Sequence, residues 1–320
     1  MLKSRHKKNS LKAATESEQE NQNDIGILPQ GEKILKAKTI KAVLQKKHNE
    51  LLESIKDETV RELVRKNSII TGGSIVSLLT NEEVNDYDYY FTNKETVLAV
   101  ANYYVKEFNI THGYDAVVKE EDGRVSVFIQ SAGVAGEMVG HETEVEDLAE
   151  PIEPSTNDED KPKYRPVFLS TNAISLSNKV QLVIRFYGDA EEIHSNYDFV
   201  HATCYWKSGT GHLELPARAL EAIITKELVY TGSKYPLASI VRTRKFIKRG
   251  WNINAGQYLK MALQLNDMDL LNVEVLREQL TGVDAAYFHQ VIDTVKQQQE
   301  NNPTFKLDSI YLIEVINRIF

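Results

Sequence analysis

Hydrophobic residues recur every three to four positions between residues 35 and 64, a spacing typical of helix. The pattern breaks near Lys56–Asp57, so we expect two consecutive helices. Directly after them, the apolar run from Ser68 to Thr71 predicts a short strand that ends at Gly72-Gly73. Ser74 to Thr80 then has the spacing of a helix start. The pattern therefore predicts a strand, a glycine turn and a helix in direct succession.

Farther along, strand and helix patterns alternate until about residue 215, and only helical spacing follows. The predicted strands are Asp86–Thr92, Asp115–Glu120, Arg124–Gln130, Pro166–Leu169, Lys179–Phe186 and Asp198–Trp206. Helices are predicted at Glu95–Phe108, Ala190–Ser195, Ala217–Leu228, Ile240–Lys248, Ala255–Leu265, Val273–Leu280, Ala285–Gln298 and Leu307–Ile319. This order predicts an α+β protein, with an antiparallel or mixed sheet and flanking helices followed by an all-helical C-terminal lobe.

Composition divides the chain further. Residues 1–30 are polar and predict a flexible tail, residues 31–215 form the mixed α and β domain, and residues 216–320 form the helical domain. Of the 46 acidic side chains, nine lie between residues 141 and 160, where no Lys or Arg occurs. The rest of the chain carries 37 acidic and 38 basic side chains, so its charge nearly balances. We interpret residues 141–163, which include three prolines, as an acidic surface loop.

The same composition excludes several classes of protein. With 42% hydrophobic residues and a mean hydropathy of -0.38, the chain is typical of globular proteins. No apolar run reaches the roughly 20 residues that span a bilayer, and the basic N-terminus lacks the apolar core of a signal peptide. The single cysteine, Cys204, excludes an internal disulfide. We therefore expect a cytoplasmic protein with no membrane partner, in which Cys204 is a small core residue.

Candidate chemistry lies in Gly72-Gly73-Ser74 and in Asp86-Tyr87-Asp88. Glycines let a backbone approach a ligand closely, and Ser74 at a helix start caps the helix or binds a phosphate oxygen. Along a strand, residues i and i+2 share a face, so Asp86 and Asp88 project together while Tyr87 faces apolar packing. Two such carboxylates suit a hard divalent cation.

This order of elements resembles the signature of the DNA polymerase β-like nucleotidyltransferase superfamily, which includes CCA-adding enzymes and poly(A) polymerases. The signature here is a hydrophobic strand, then Gly-Gly-Ser, a helix and Asp-Tyr-Asp-Tyr. The resemblance covers residues 68–92 well and residues 166–206 more loosely. The later pattern, including Tyr197-Asp198-Phe199, is also similar to viral and phage members, for which the host cytoplasm is the expected location. The resemblance implies a nucleotidyltransferase fold for residues 31–215.

What the resemblance implies chemically is two-metal catalysis with Mg²⁺ or Mn²⁺. Asp86, Asp88 and a third carboxylate would be the catalytic metal ligands, and Gly72, Gly73 and Ser74 would hold the phosphates of an NTP such as ATP. Asp198 is our candidate for the third carboxylate because the predicted strand opens on it, and Asp115 is the fallback. The spacing departs from the family, since 110 positions separate Asp88 from Asp198.

A basic helix supplies the remaining candidates. On a helix, Arg242, Lys245 and Arg249 fall on one face. By extrapolation from the family's helical lobe, we expect Lys226, Arg242 and Lys245 to contact the triphosphate or the acceptor backbone, with Tyr230 or Tyr235 stacking on the base. A solvated face is the simpler interpretation of these charges.

The sequence thus supports two hypotheses from different classes. The first is an enzyme that transfers NMP from an NTP to an acceptor hydroxyl, with an RNA 3′ end as the favoured acceptor. The second is a catalytically inactive protein of the same fold with a binding or structural role, for example in viral assembly. Convergence of Asp86, Asp88 and Asp198 beside Ser74 would favour the enzyme.

Overall fold

The computed structural model describes residues 25–27, 33–121, 123–129, 143–144, 148–149, 162–280 and 286–319. Of the predicted tail, only Ile25–Ile27 falls within these residues. The predicted acidic loop lies largely outside them.

The described helices are α1 (Ala37–Ser54), α2 (Glu58–Asn67), α3 (Gly73–Leu79), α4 (Lys94–His112), α5 (Ala190–His194), α6 (Ala217–Thr225), α7 (Pro236–Lys248), α8 (Ala255–Asn266), α9 (Val273–Gln279), α10 (Ala286–Asn301) and α11 (Ser309–Ile319). The described strands are β1 (Ile25–Ile27), β2 (Lys33–Leu35), β3 (Ser68–Thr71), β4 (Tyr87–Phe91), β5 (Ala116–Glu121), β6 (Arg124–Ile129), β7 (Thr143–Glu144), β8 (Leu148–Ala149), β9 (Pro166–Leu169), β10 (Ala173–Leu176), β11 (Val180–Tyr187), β12 (Tyr205–Lys207) and β13 (His212–Glu214). The expected α+β class, with a mixed sheet, flanking helices and a helical C-terminal region, is confirmed.

The chain divides into two compact units. The first comprises residues up to His194 together with Ala202–Pro216, and the second comprises Ser195–His201 together with Ala217–Phe320. The segment Ser195–His201, which the sequence pattern assigned to the mixed domain, therefore groups with the helical part of the chain.

An eight-stranded sheet forms the centre of the first unit, with the strand order β13-β12-β3-β4-β11-β10-β9-β8. The β4–β11 pair is parallel and the other pairs are antiparallel, so the sheet is mixed. Strands β5, β6 and β7 form a separate antiparallel sheet, and β1 pairs with β2. The sheet thus brings residues 68–71, 87–91 and 180–187 side by side.

Helix α1 packs on one face of this large sheet. Its buried residues follow helical spacing, and one of them, His48, stacks on Tyr89 and meets the edge of Trp206. Tyr89 and Trp206 are both fully buried. The predicted break between the first two helices is confirmed, because the Asp57 side chain accepts hydrogen bonds from the first turn of α2 and so caps it.

The second unit contains an apolar cluster of its own. Its buried members are Val273, Leu276, Leu280, Ile292 and Val295. Aromatic rings form a further cluster around the buried His201, which contacts Phe246 and Trp251.

The predicted strand Asp198–Trp206 is wrong over most of its length. Hydrogen bonds tie Val200 to Val229 and Thr231 to Asp198, so this part of the backbone pairs locally within the second unit. Val200–Thr203 then turns as a 3₁₀ helix, and only Tyr205–Lys207 extends as β12. Strands β1, β2, β7, β8, β10 and β13 were not predicted; β1 lies within the predicted tail, and β7 and β8 lie within the predicted acidic loop. Among the described helices, none has the length and apolar character needed to cross a membrane.

Candidate active site

The glycine turn follows β3 directly. Gly72 has a φ of 83° and a ψ of -149°, a conformation that is essentially restricted to glycine. Its N–H donates to the carbonyl oxygen of Ala202 at 3.2 Å, which fixes the turn from outside. The predicted helix is present as α3, which begins at Gly73, one residue before the predicted start at Ser74.

Gly73 and Ser74 differ from Gly72 in what surrounds them. A Cβ added to Gly73 would meet no atom within 4 Å, so the described structure leaves open space there. The Ser74 side chain is 2% exposed, and its Oγ has no hydrogen-bond partner among the described residues. A buried hydroxyl of this kind costs free energy unless something accepts or donates to it. The turn thus combines a glycine that leaves room for a ligand with a serine hydroxyl whose hydrogen-bonding capacity is unused among the described residues.

The carboxylates lie on the neighbouring strand. In the antiparallel β3–β4 pair, Asp88 is directly opposite Thr71, the residue that precedes the glycine turn. Asp86 is exposed and lies immediately before β4, two residues from Asp88; continued strand alternation would set both carboxylates on one face. Tyr87 and Tyr89 face the other way, 9% and 0% exposed, as predicted. The structure therefore brings the glycine turn and the Asp-Tyr-Asp motif together.

The other neighbour of β4 carries no acid. In the parallel β4–β11 pair, Gln181 is the residue opposite Asp88, and β11 has the sequence Val-Gln-Leu-Val-Ile-Arg-Phe-Tyr. Ser175 of β10 is in turn opposite Gln181. On β4, β10 and β11 the row through Asp88 is thus polar with one carboxylate, whereas in the other direction it runs through Thr71 and Tyr205 to Glu214 on β13. Sequence reasoning missed Gln181 because nothing in the pattern showed that β11 pairs with β4.

Asp198, the expected third carboxylate, belongs to the second unit. Its Oδ2 accepts a hydrogen bond from Arg242 Nη1 at 2.7 Å, and the Asp198 side chain is 15% exposed. A carboxylate so paired is already neutralised, and a metal ion would have to displace the guanidinium. Asp115, the fallback, is exposed and precedes β5 of the three-stranded sheet. Within the residues that the structure describes, no group of three or more potential metal ligands occurs.

Asp86 and Asp88 still fit a nucleotide-borne Mg²⁺. This ion is commonly held by one or two carboxylates together with substrate phosphates and water, and both side chains supply hard oxygen ligands. The Gln181 amide oxygen is a further donor of the same type. The donor set therefore suits Mg²⁺ or Mn²⁺ delivered with a nucleotide better than a preformed all-protein metal cage.

The basic residues expected to contact the triphosphate or the acceptor backbone, Lys226, Arg242 and Lys245, all lie in the second unit. Arg242 faces Asp198, and the Lys226 backbone ends α6 in the left-handed region at a φ of 50°. Lys245 is exposed on α7, beside Arg244 and Lys248. Helix α7 therefore presents an exposed basic stripe formed by Arg244, Lys245 and Lys248, and Arg242 is not part of it.

Neither tyrosine proposed for base stacking is exposed. Tyr230 is 3% exposed, and its ring packs on Phe199 while its hydroxyl bonds to Gln264. Tyr235 is 8% exposed. Both rings are part of the core of the second unit, so the expectation that they stack on a base is not supported. Cys204 is buried, and burial raises the pKa of its thiol to about 12, in line with a core role.

The fold and the site together define an α+β protein whose mixed sheet places a Gly-Gly-Ser turn next to an Asp-Tyr-Asp strand. The chain belongs to the Gabija anti-defense 2 family, whose model matches residues 42–226. A relative named Gabija anti-defense 2, from Bacillus phage SPbetaL7, is 20% identical over 255 residues. That match covers 79% of this chain and 51% of the relative, so the chain spans about half the length of the curated relative that it matches.

Similar solved structures are CCA-adding enzymes. The Thermotoga maritima CCA-adding enzyme complexed with tRNA is 12% identical, with a TM-score of 0.37, and the match covers 82% of this chain and 57% of that one. A Bacillus stearothermophilus CCA-adding enzyme in complex with CTP is 13% identical, with a TM-score of 0.33, and the match covers 76% of this chain and 51% of the other.

Proposed function

We propose that this chain is a nucleotidyltransferase that transfers NMP from an NTP to an acceptor hydroxyl. The observation that carries the proposal is the register of β3 and β4, which sets Asp88 opposite the residue that precedes Gly72-Gly73-Ser74. A phosphate-binding turn and a carboxylate pair have to be neighbours if one nucleotide is to contact both.

In this proposal the glycine turn holds the triphosphate. The open space at Gly73 admits phosphate oxygens, and the buried Ser74 hydroxyl donates to one of them. Asp86 and Asp88 would hold the cation that the nucleotide brings, which would supply neutralisation of the charge on the phosphates. The acceptor oxygen bonds to the α-phosphorus as the bond to the bridging oxygen breaks, so pyrophosphate leaves and the hydroxyl proton passes to water. The protein's part is therefore mainly to position the two reactants.

The finer parts of the proposal concern the acceptor and the biological role. The exposed basic stripe of α7 supports an RNA 3′ end as the acceptor, because phosphodiester backbones bind lysine and arginine. The family and the curated relative are named for action against Gabija, and we propose that transfer by this chain serves the same end in the host cytoplasm.

Substitution of Gly73 tests the nucleotide site with little risk to the fold. Apart from its chain neighbours and the backbone of its own helix, the added methyl group of Gly73→Ala meets no described atom within 4 Å, so loss of NTP affinity points to a clash with the ligand. We expect affinity for the preferred NTP with Mg²⁺, measured by titration calorimetry, to fall at least tenfold. Gly256→Ala makes the same change in the first turn of α8, away from the proposed site; its added Cβ lies 3.1 Å from the Asn254 side-chain oxygen, so its stability is checked first, and it should bind the NTP like the wild type. Equal affinity of Gly73→Ala and the wild type would contradict the site.

A second candidate function is a catalytically inactive protein that uses the same fold to bind a nucleotide or a viral assembly partner. Gln181 opposite Asp88 favours it, because the resembled enzymes have a third carboxylate and this strand has none. Under this alternative, NTP binding would survive while no NMP is transferred to any acceptor.

A further inference from the structure

A fully buried hydroxyl lies at the end of β3. Thr71 is 0% exposed, and its Oγ1 is 2.8 Å from His194 Nε2, 2.8 Å from the carbonyl oxygen of Cys204 and 3.3 Å from that of Ala202. All four residues belong to the first unit. This single oxygen therefore joins β3, the last residue of α5, and the backbone that leads into β12.

The proton count fixes the direction of these bonds. A hydroxyl has one proton, and a carbonyl oxygen can only accept, so the Thr71 proton goes to the nearer carbonyl, that of Cys204. The contact with His194 must then run the other way, with Nε2–H donating to Thr71 Oγ1. Burial lowers the pKa of His194 to about 4, so the ring is neutral at pH 7 and its proton is on Nε2.

The bonded residues adjoin the proposed phosphate turn. Thr71 is opposite Asp88 on one side and is followed by Gly72 in the chain. The Gly72 N–H donates to Ala202, so two consecutive residues before the turn are held from outside β3. The chain leaves the first unit after His194 and re-enters it at Ala202. The two residues that bond to Thr71 and Gly72, His194 and Ala202, therefore flank the Ser195–His201 segment directly.

We propose that His194 is a positioning residue, which holds Thr71 through its Nε2–H and thereby sets the orientation of the Gly72-Gly73-Ser74 turn beside Asp88. The effect on catalysis rests on the proposed nucleotidyl transfer, whereas the effect on the turn does not. A histidine that merely fills space would affect stability, but it would not act selectively on the turn.

Two substitutions at His194 separate the hydrogen bond from the packing. His194→Phe keeps a ring against Tyr205, 5.5 Å away, but removes the donor. His194→Gln places an amide N–H at a reach similar to that of Nε2. We expect the Gly72 amide of the nucleotide-free protein to exchange with deuterium about tenfold faster in His194→Phe and at the wild-type rate in His194→Gln.

Substitution of Thr71 completes a double-mutant cycle with His194→Phe. Thr71→Val removes both the acceptor for His194 and the donor to Cys204, and we expect it to accelerate Gly72 exchange at least as much as His194→Phe. The double variant should exchange no faster than Thr71→Val alone, because Thr71→Val already removes the hydrogen bond that His194→Phe removes. Additive acceleration, unchanged exchange in His194→Phe, or equal acceleration by Gln and Phe would overturn the proposal.

Transfer kinetics form the second arm of the experiment. In an active wild type, we expect His194→Phe to raise the KM for NTP at least tenfold with a smaller change in kcat, and His194→Gln to restore it. Faster Gly72 exchange with an inactive wild type would refute the proposed function and leave the role of His194 intact. Unchanged exchange with an active wild type would refute the role of His194 alone.

Discussion

At the residue scale, the adjacent residues Gly72 and Gly73 are glycines for different structural reasons. Gly72 is required by its own backbone conformation, whereas Gly73 has a conformation open to other residues and is surrounded by space. Both were predicted as site residues from the Gly-Gly-Ser motif alone. The difference between the two glycines depends on the backbone angle φ and on the neighbouring atoms, neither of which can be predicted from the motif.

This difference predicts opposite effects on stability. Gly72→Ala forces an alanine into a glycine-only region and should lower the free energy of unfolding by about 1–3 kcal/mol. Gly73→Ala lies at the start of α3, where alanine is the better helix former, and should leave stability unchanged or slightly higher. Urea denaturation of the two variants measures both effects. A similar loss of unfolding free energy in both variants would contradict the open space at Gly73.

His48 makes stability dependent on pH. Burial lowers the pKa of His48 from 6.5 to about 4. The unfolded chain therefore takes up a proton below about pH 6.5, which the native protein accepts only near pH 4. Native stability should fall as the pH drops through this interval, by about 3 kcal/mol for this one group.

Substitution of His48 isolates its contribution to the pH dependence of stability. His48→Phe keeps the ring contacts with Tyr89 and Trp206 but cannot titrate. Denaturant titrations between pH 7 and pH 4 should show a shallower loss of stability in the variant than in the wild type. Parallel pH profiles would mean that His48 is not the group responsible.

Residue pairs that are distant in sequence were beyond prediction. Asp198 and Arg242 were assigned separate roles, as a metal ligand and as a phosphate contact, yet they bind each other across 44 positions. By contrast, the burial of Tyr87 and Tyr89 beside the less buried Asp86 and Asp88 needed only the period of a strand, and the structure confirms this burial pattern, although β4 begins after Asp86.

At the element scale, long periodic segments were the predictable part. The helices from α7 to α11 and the break before α2 follow from apolar spacing and from the cap at Asp57. The short strands β10 and β13 were missed because three or four residues carry too little periodicity. Their existence depends on the strands they pair with, β11 and β12.

Helix α7 differs from other helices in how its charges are arranged. On α2, Arg61 and Arg65 pair with Glu58 and Glu62. No acid occurs between Leu228 and Asn266, so the basic stripe of α7 has no acidic partner on its own helix. Like charges this close repel each other, and a polyanion would relieve the repulsion.

We therefore predict that Arg244→Gln/Lys245→Gln/Lys248→Gln weakens RNA binding. Fluorescence anisotropy at several salt concentrations should show lower affinity and a salt slope reduced by up to about three. Lys38→Gln/Lys41→Gln/Lys46→Gln removes the same charge from exposed positions of α1 and is the matched control. An equal loss in both variants would indicate a net-charge effect rather than a binding surface.

At the scale of the whole molecule, the sheet assembles the site from three separate segments. β3 supplies the approach to the glycine turn, β4 supplies the carboxylates, and β11 supplies Gln181. The sequence motif predicted the first two because they are close along the chain. It could not predict β11, since about 90 residues lie between β4 and its parallel partner.

Transfer of label from an NTP tests the central claim most directly. The full chain is incubated with each α-³²P-labelled NTP, Mg²⁺ or Mn²⁺, and a mixture of RNAs and proteins, beside two variants. Asp86→Asn/Asp88→Asn removes the proposed metal ligands, and Asp267→Asn/Asp269→Asn makes the same change at two exposed aspartates elsewhere.

We predict that the wild type and the Asp267/Asp269 variant transfer label to an acceptor. The Asp86/Asp88 variant should transfer label at least 100-fold more slowly, which is about the effect of removing a key transition-state interaction. Undiminished labelling by the Asp86/Asp88 variant would contradict the assigned site. Absence of labelling by the wild type with every NTP would contradict nucleotidyl transfer and favour the inactive binding protein.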